Sequence, residues 1–397
     1  MKERRVNSII ICCLVIALVI LIPLTGVVAD AAIKADVIPN VGPNHDANDT
    51  ISGSTPDVAP DNTPDVAPDN TTDDVPVKNP TIEDVKYFVG KTLSFERGME
   101  MIFYVDADLL NGFTNIKMEF AKSVFGEDGA IISEDVVEIT DYTLSNISGK
   151  NVLRFVYNGI FAKEMSVAIN VNLYEGNNCL ATTTYSVTQY AQKMLSNDTI
   201  ASEMKTFLVD LLNYGSAAQV YFDYNTENLA NADLTDEQKA YATTEIGQVE
   251  SKAEKVESAE DEVRIKGISL SLVNTIDVYV RFDLYNRTTA DVYATIDYVD
   301  IHGENKTMTI DGNDFESLVG LENRYYIVFS EYGASQMSDM FTVKFFDKAT
   351  DEAIGDTTTY SIDSYIARTL EKANNQALVD ILEAMIKYGN SAEIYFE

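Results

Sequence analysis

Tryptophan is absent from the 397-residue sequence, histidine occurs twice and cysteine three times. With only His45 and His302 available, a histidine-based catalytic triad or a multi-histidine metal site has almost no material to draw on. His302 stands in a His-Gly-Glu-Asn turn and reads as a surface turn residue. Cys12 and Cys13 lie inside an N-terminal apolar run with no small residue before them, which argues against a lipidated cysteine. Once that run is set aside Cys179 is the only cysteine, so no intramolecular disulfide can form and the folded part rests on its cores. A nucleophilic Cys179 needs a histidine partner, and beyond the N-terminal region only His302 could serve. Positive charge is also scarce. There are 29 Lys and Arg against 63 Asp and Glu, a net charge of -34, which argues against nucleic acid or an anionic membrane surface as partner.

What the chain does have begins at its N-terminus. Lys2, Arg4 and Arg5 precede an apolar run from Ile9 to Ile22 that Pro23, Thr25 and Gly26 break, the layout of a signal peptide. Two outcomes fit these residues: cleavage after Ala29 or Ala31, or retention of residues 9–29 as a membrane anchor, since that stretch approaches the roughly 20 residues that span a bilayer. In both, residues 1–31 send the rest of the chain out of the cell. Residues 32–81 are rich in Pro, Asp, Asn and Thr and repeat Thr-Pro-Asp-Val-Ala-Pro-Asp-Asn at 55–62 and 63–70. So polar and proline-rich a segment cannot bury enough apolar surface to order itself, and the expectation is an acidic, disordered tether. It is a stalk or an interchangeable linker.

The remaining sequence is written twice. Tyr185-Ser186-Val187 recurs as Tyr360-Ser361-Ile362, and Tyr214-Gly215-Ser216-Ala217-Ala218-Gln219-Val220-Tyr221-Phe222 as Tyr388-Gly389-Asn390-Ser391-Ala392-Glu393-Ile394-Tyr395-Phe396, about 175 residues apart. Leu93-Ser94-Phe95 and Met99-Glu100-Met101 find counterparts in Leu270-Ser271-Leu272 and Ile276-Asp277-Val278. The units are placed at 82–228 and 259–397, joined by a charged helical linker over 229–258 that contains the capping-box pattern Thr235-Asp236-Glu237-Gln238. Early in each unit apolar residues alternate with a period of two, as in Val167, Ile169, Val171 and Leu173, or Val278, Val280, Phe282 and Leu284. Two helices then follow. Ser186 or Thr188 caps the first helix in one copy, and Asp363 or Ser364 in the other. The second helix carries a stripe of Met204, Phe207, Leu208, Leu211, Gly215, Ala218 and Phe222, repeated as Leu378, Ile381, Leu382, Met385, Gly389, Ala392 and Phe396, which should lie on the sheet or across its open end. Gly215 and Gly389 mark a close approach, because glycine inside a helix costs about 1 kcal/mol relative to alanine. The fold class is therefore α+β: two tandem antiparallel β-sandwich-like sheets, each followed by a C-terminal helical pair. Apolar content of 46%, with 22 Tyr and 17 Phe, supplies the cores.

The segments Tyr185-Ser186-Val187-Thr188-Gln189-Tyr190-Ala191, Leu208 through Phe222, and Asn228-Leu229-Ala230-Asn231 resemble a recurrent module of secreted and surface proteins in clostridia-like anaerobic bacteria. The likeness is weaker in the second copy, where Glu383-Ala384-Met385-Ile386-Lys387 stands in place of Asp-Leu-Leu-Asn. The resemblance implies an extracellular or cell-surface location and assigns no catalytic residue.

Among cofactors, only loosely bound calcium has candidate residues. Asp106, Asp108 and Asn111 precede Gly112, Asp311, Asn313 and Asp314 surround Gly312, and Asp223-Tyr224-Asn225-Thr226-Glu227 begins like an EF-hand loop. Asn228 and Leu234 break that last pattern, and ordinary turn chemistry explains all three. Sugar stacking has candidates in Tyr325 with Tyr326, and in Tyr279, although the lack of tryptophan weakens it; Tyr214, Tyr221, Tyr388 and Tyr395 read as core or rim residues of the helices. No catalytic constellation and no metal site emerges. The expected function is a non-enzymatic extracellular or cell-surface protein with tandem structural or binding modules, its partner a cell-wall or environmental glycan or another surface protein. The alternative is a secreted carbohydrate-binding or carbohydrate-active protein.

Overall fold

Alternating apolar residues bury one side of the inner strands, and each half of the chain stacks two sheets on those sides. The computed structural model describes residues 87–396 apart from Arg97, 127–128, Gln248, 260–261, 272–275 and Val319. The leader and tether expectations, with Cys12, Cys13 and His45, lie outside the described residues. In the first half, β1 (Phe88–Ser94), β2 (Glu100–Asp106), β3 (Ile116–Phe125), β4 (Ile131–Ile139), β5 (Thr143–Ile147), β6 (Lys150–Tyr157), β7 (Ile169–Glu175) and β8 (Asn178–Tyr185) form sheets in the orders β1-β2-β6-β5 and β4-β3-β7-β8. Helices α1 (Val187–Leu195) and α2 (Ser202–Tyr221) follow. The connection holds α3 (Asp236–Lys239) and β9 (Glu254–Val256).

The second half repeats the arrangement. Strands β10 (Val263–Ser271), β11 (Asp277–Leu284), β12 (Val292–Val299), β13 (Asn305–Asp311), β14 (Glu316–Ser317), β15 (Arg324–Phe329), β16 (Phe341–Asp347) and β17 (Ala353–Tyr360) make sheets β10-β11-β15-β14 and β13-β12-β16-β17, the latter extended by β9. Helices α4 (Ile362–Leu370) and α5 (Gln376–Phe396) close it. All strand pairs are antiparallel, so the chain is α+β with sandwich-like sheets. Aromatic rings join the facing sheets: Phe120 of β3 stacks on Tyr157 of β6 at 4.6 Å, and Phe282 of β11 meets Phe345 of β16 at 4.6 Å. Among the described residues no helix is long and apolar enough to cross a membrane.

The second helix of each half sits on a short 3-10 turn between the sixth and seventh strands, Ala162–Glu164 under α2 and Ala334–Gln336 under α5. A Cβ at Gly215 would meet Met165 Sδ at 2.5 Å and Ala162 O at 3.2 Å, so glycine allows the close seat. The opposite face of the helix departs from the single-stripe expectation. Beyond the stripe, α2 also buries Val209, Leu212 and Tyr214, because α5 packs against it. Tyr214 stacks on Tyr388 with ring centroids 5.6 Å apart, and Phe207 stacks on Tyr395 at 5.2 Å. Tyr214 and Tyr388 occupy matching positions, so the two helices run antiparallel about a pseudo-two-fold axis and the copies meet as an internal dimer would.

Two expectations need correcting. The 229–258 segment is not a helical spacer, since helix occupies only Asp236–Lys239 and β9 joins the β17 edge. Its polar groups are held by both halves: Thr243 donates to Asp210 through its backbone N at 3.0 Å and its Oγ at 2.6 Å, and Lys252 N donates to Ser364 Oγ at 3.0 Å. A segment pinned this way gains more from those bonds than from continuing a helix that has few large apolar residues to bury. In the second half the cap of α4 is Ser361, whose hydroxyl accepts from Ser364 N at 3.0 Å, rather than Asp363 or Ser364. Its counterpart Ser186 caps α1, accepting from Gln189 N at 3.1 Å.

Candidate ligand-binding face

The recurring helix motif is occupied by structure. Gln219 is fully buried and donates to the carbonyls of Asn225 and Asn228 at 3.1 and 2.9 Å, while its Oε1 accepts from Ala230 N at 2.7 Å. Asn231 accepts from Ser216 Oγ at 2.8 Å and donates to Asn213 at 3.0 Å. The Asn-Leu-Ala-Asn segment therefore folds back on the helix that precedes it, and Asp223 and Asn225 take positive φ to make the turn. At the matching position in the second copy, Glu393 is exposed.

The acidic turns are likewise engaged within the fold. Asp106 binds Lys150 at 2.6 Å, and that bond holds its carboxyl below the ordinary range against the opposing effect of burial. Asp311 accepts from Lys348 Nζ and Asn313 N, each at 2.9 Å. Among the described residues no group of three or more His, Cys, Asp or Glu is placed to hold a metal ion. Cys179 is exposed on β8 of the first half and His302 is exposed in the β12–β13 turn of the second, so the structure does not bring them together.

The tyrosines divide by strand alternation. Tyr325 turns inward and stacks on Phe282 at 6.1 Å. Tyr326 turns outward with Tyr279, their ring centroids 5.5 Å apart, and both are half-buried. Two residues from Tyr279 on β11 lies Arg281, directly opposite Tyr326 on β15 and opposite Gly267 on β10. Arg281 is only 8% exposed. Its one mark in the sequence is an arginine among the outward residues of β11, where the matching position in the first copy is Tyr104. Glu316, opposite Tyr326 on β14, places its carboxylate 3.5 Å from the Tyr326 hydroxyl. This outer face of β10, β11 and β15 combines paired ring faces, a cation and a carboxylate.

Two cavities offer comparisons. The matching face of the first half holds a cavity of about 330 Å³ beside Gly90 and Tyr104, with Lys91 and Lys150 at its rim. A wider hollow of about 630 Å³ lies at the β11–β12 loop, but its Arg287 is bound to Glu262 at 2.8 Å and to Asp347. No family model matches the chain, and comparison with curated proteins returns no match.

Proposed function

We propose that the chain is a non-enzymatic extracellular or cell-surface protein whose two modules are displayed beyond a Pro- and Asp-rich stalk, in the manner of the clostridial surface modules it resembles. The observation that supports this reading is what the duplicated motif does: Tyr214 and Tyr388 pair the two helices, and Gly215 and Gly389 seat them on their turns. The residues by which the copies are most alike serve assembly, and chemistry has no claim on them. Cell fractionation with surface proteolysis tests the location, and a purely cytoplasmic pool would overturn it. Turnover of any polysaccharide by the purified chain would overturn the non-enzymatic part.

A second reading, carbohydrate binding, is favoured by the outward pair Tyr279 and Tyr326, whose apolar faces suit a sugar ring. Titration with wall and plant polysaccharides, compared between the native chain and Tyr326→Ala, tests it. Saturable binding lost in the variant is the expected result, and binding indifferent to Tyr326 sinks this placement.

A further inference from the structure

Arg281 is a buried guanidinium whose Nε and Nη2 have no hydrogen-bond partner. Those two groups form the edge with which arginine grips a carboxylate or phosphate through parallel bonds. Arg324, on the same face, uses that same edge on Asp283, at 2.6 and 3.0 Å. Asp283 is two residues from Arg281 and also accepts from the Tyr285 hydroxyl at 3.0 Å, with Lys266 at 3.5 Å, so its carboxylate is already taken. On the neighbouring strand, opposite Tyr279, the Ser269 hydroxyl is buried and unpartnered as well.

The first copy carries no cation at the matching position, and its cavity lies beside Tyr104. Thr92 and Tyr104 stand where Ser269 and Arg281 stand, and Tyr190, the counterpart of Tyr365, hydrogen-bonds Thr92. The second copy instead holds a cation that burial, and then repulsion from Arg324, push down to about 10. Burying a charge without a partner is unfavourable, and an unsatisfied buried group calls for a specific explanation, of which a bound anion is one.

We infer that Arg281, with Tyr279 and Tyr326 beside it, binds an oxyanion carried on a saccharide. The inference rests on the carbohydrate-binding reading and names the class of sugar. The rings receive the apolar face of the sugar, the guanidinium edge takes a carboxylate, phosphate or sulfate in two parallel bonds, and the Ser269 hydroxyl adds a third. The guanidinium edge is shielded from solvent, and Tyr365 of α4, which packs on β10, lies within electrostatic reach of it, so a ligand reaches the edge by displacing these side chains.

Calorimetric titration of the full chain decides this, with an oligogalacturonide, a phosphorylated oligosaccharide and a sulfated one, each set against its neutral counterpart. The expected result is saturable binding of at least one acidic form, ~10-fold or more tighter than the neutral form. Arg281→Gln should bring it down to the neutral level, and Arg281→Lys should fall between, because an ammonium cannot make the two parallel bonds. A melting temperature for Arg281→Gln at or above the native value accompanies that result and separates lost binding from lost folding. If the variant melts lower, Ser269→Ala, which leaves the guanidinium in place, must weaken the acidic form alone. Equal binding of acidic and neutral forms, unchanged in Arg281→Gln, overturns the inference and leaves the sugar-binding reading standing. No saturable binding of any saccharide overturns both.

Discussion

Single positions set how closely this fold can pack. At Gly389 a Cβ would overlap Met337 Cε and lie 3.3 Å from Ala334 O. The methionine end can turn aside, but the carbonyl belongs to the 3-10 turn and cannot move without it. Gly389→Leu should therefore destabilise the second module by about 1–3 kcal/mol, read as a lowered melting temperature, with partial recovery when Met337→Ala makes room. Asp356 is the opposite kind of residue, a fully buried carboxylate. Burial pushes its pKa up, but bonds from Ser258 N, Lys255 and Arg264 outweigh that and hold it below its ordinary value of 3.8. Its stabilisation is then full above pH 3.8 and is lost as pH falls through the depressed value. Urea midpoints of the native chain should decline across that acid window by more than those of Asp356→Asn. Asp356→Ala should cost about 1–3 kcal/mol at neutral pH, since it removes the acceptor of the buried Ile265 N–H.

At the scale of elements, the α2–α5 pair joins the halves, and Phe207 packs into it about two turns from the Tyr214–Tyr388 stack. It is fully buried and touches Tyr388, Tyr395, Phe396 and, within its own half, Phe95. Truncation to alanine should cost about 3–5 kcal/mol. Differential scanning calorimetry should show one transition for the native chain and two for Phe207→Ala, because the shared interface is what couples the halves. Two resolved transitions in the native chain would contradict that coupling. Asp210 lies fully buried in the same interface, bound to Thr243 and Ser391, and burial raises its pKa. Strand alternation, the Ser186 cap of α1 and the glycine seats were legible from residue order because each depends on near neighbours. The pairing of α2 with α5 was not, because an apolar stripe states that a face is buried and does not say against what.

For the whole of residues 87–396, the connection between the halves is a pinned strap. β9 adds to β17, and Lys255 reaches Asp356 at 3.1 Å. Cleavage at a protease site engineered near Gly247 should therefore leave the two fragments co-eluting in gel filtration under native conditions. Fragments that separate would mean that the helix pair and strap do not hold the halves. The net charge of -34 over all 397 residues adds self-repulsion that salt screens.

Residue order alone determined the duplication, the period-two strands, the two helices of each copy and the acidic, histidine-poor chemistry, since these follow from composition and from spacing along one chain. Tertiary structure decided the rest. It paired α2 with α5 through Tyr214 and Tyr388, beyond the stripes, turned Tyr325 inward and Tyr326 outward, bound Asp106 and Asp311 of the acidic turns to lysines, and left the guanidinium edge of Arg281 without a partner. Whether a charge is paired depends on side chains brought from distant strands, and no local pattern records which of them arrive.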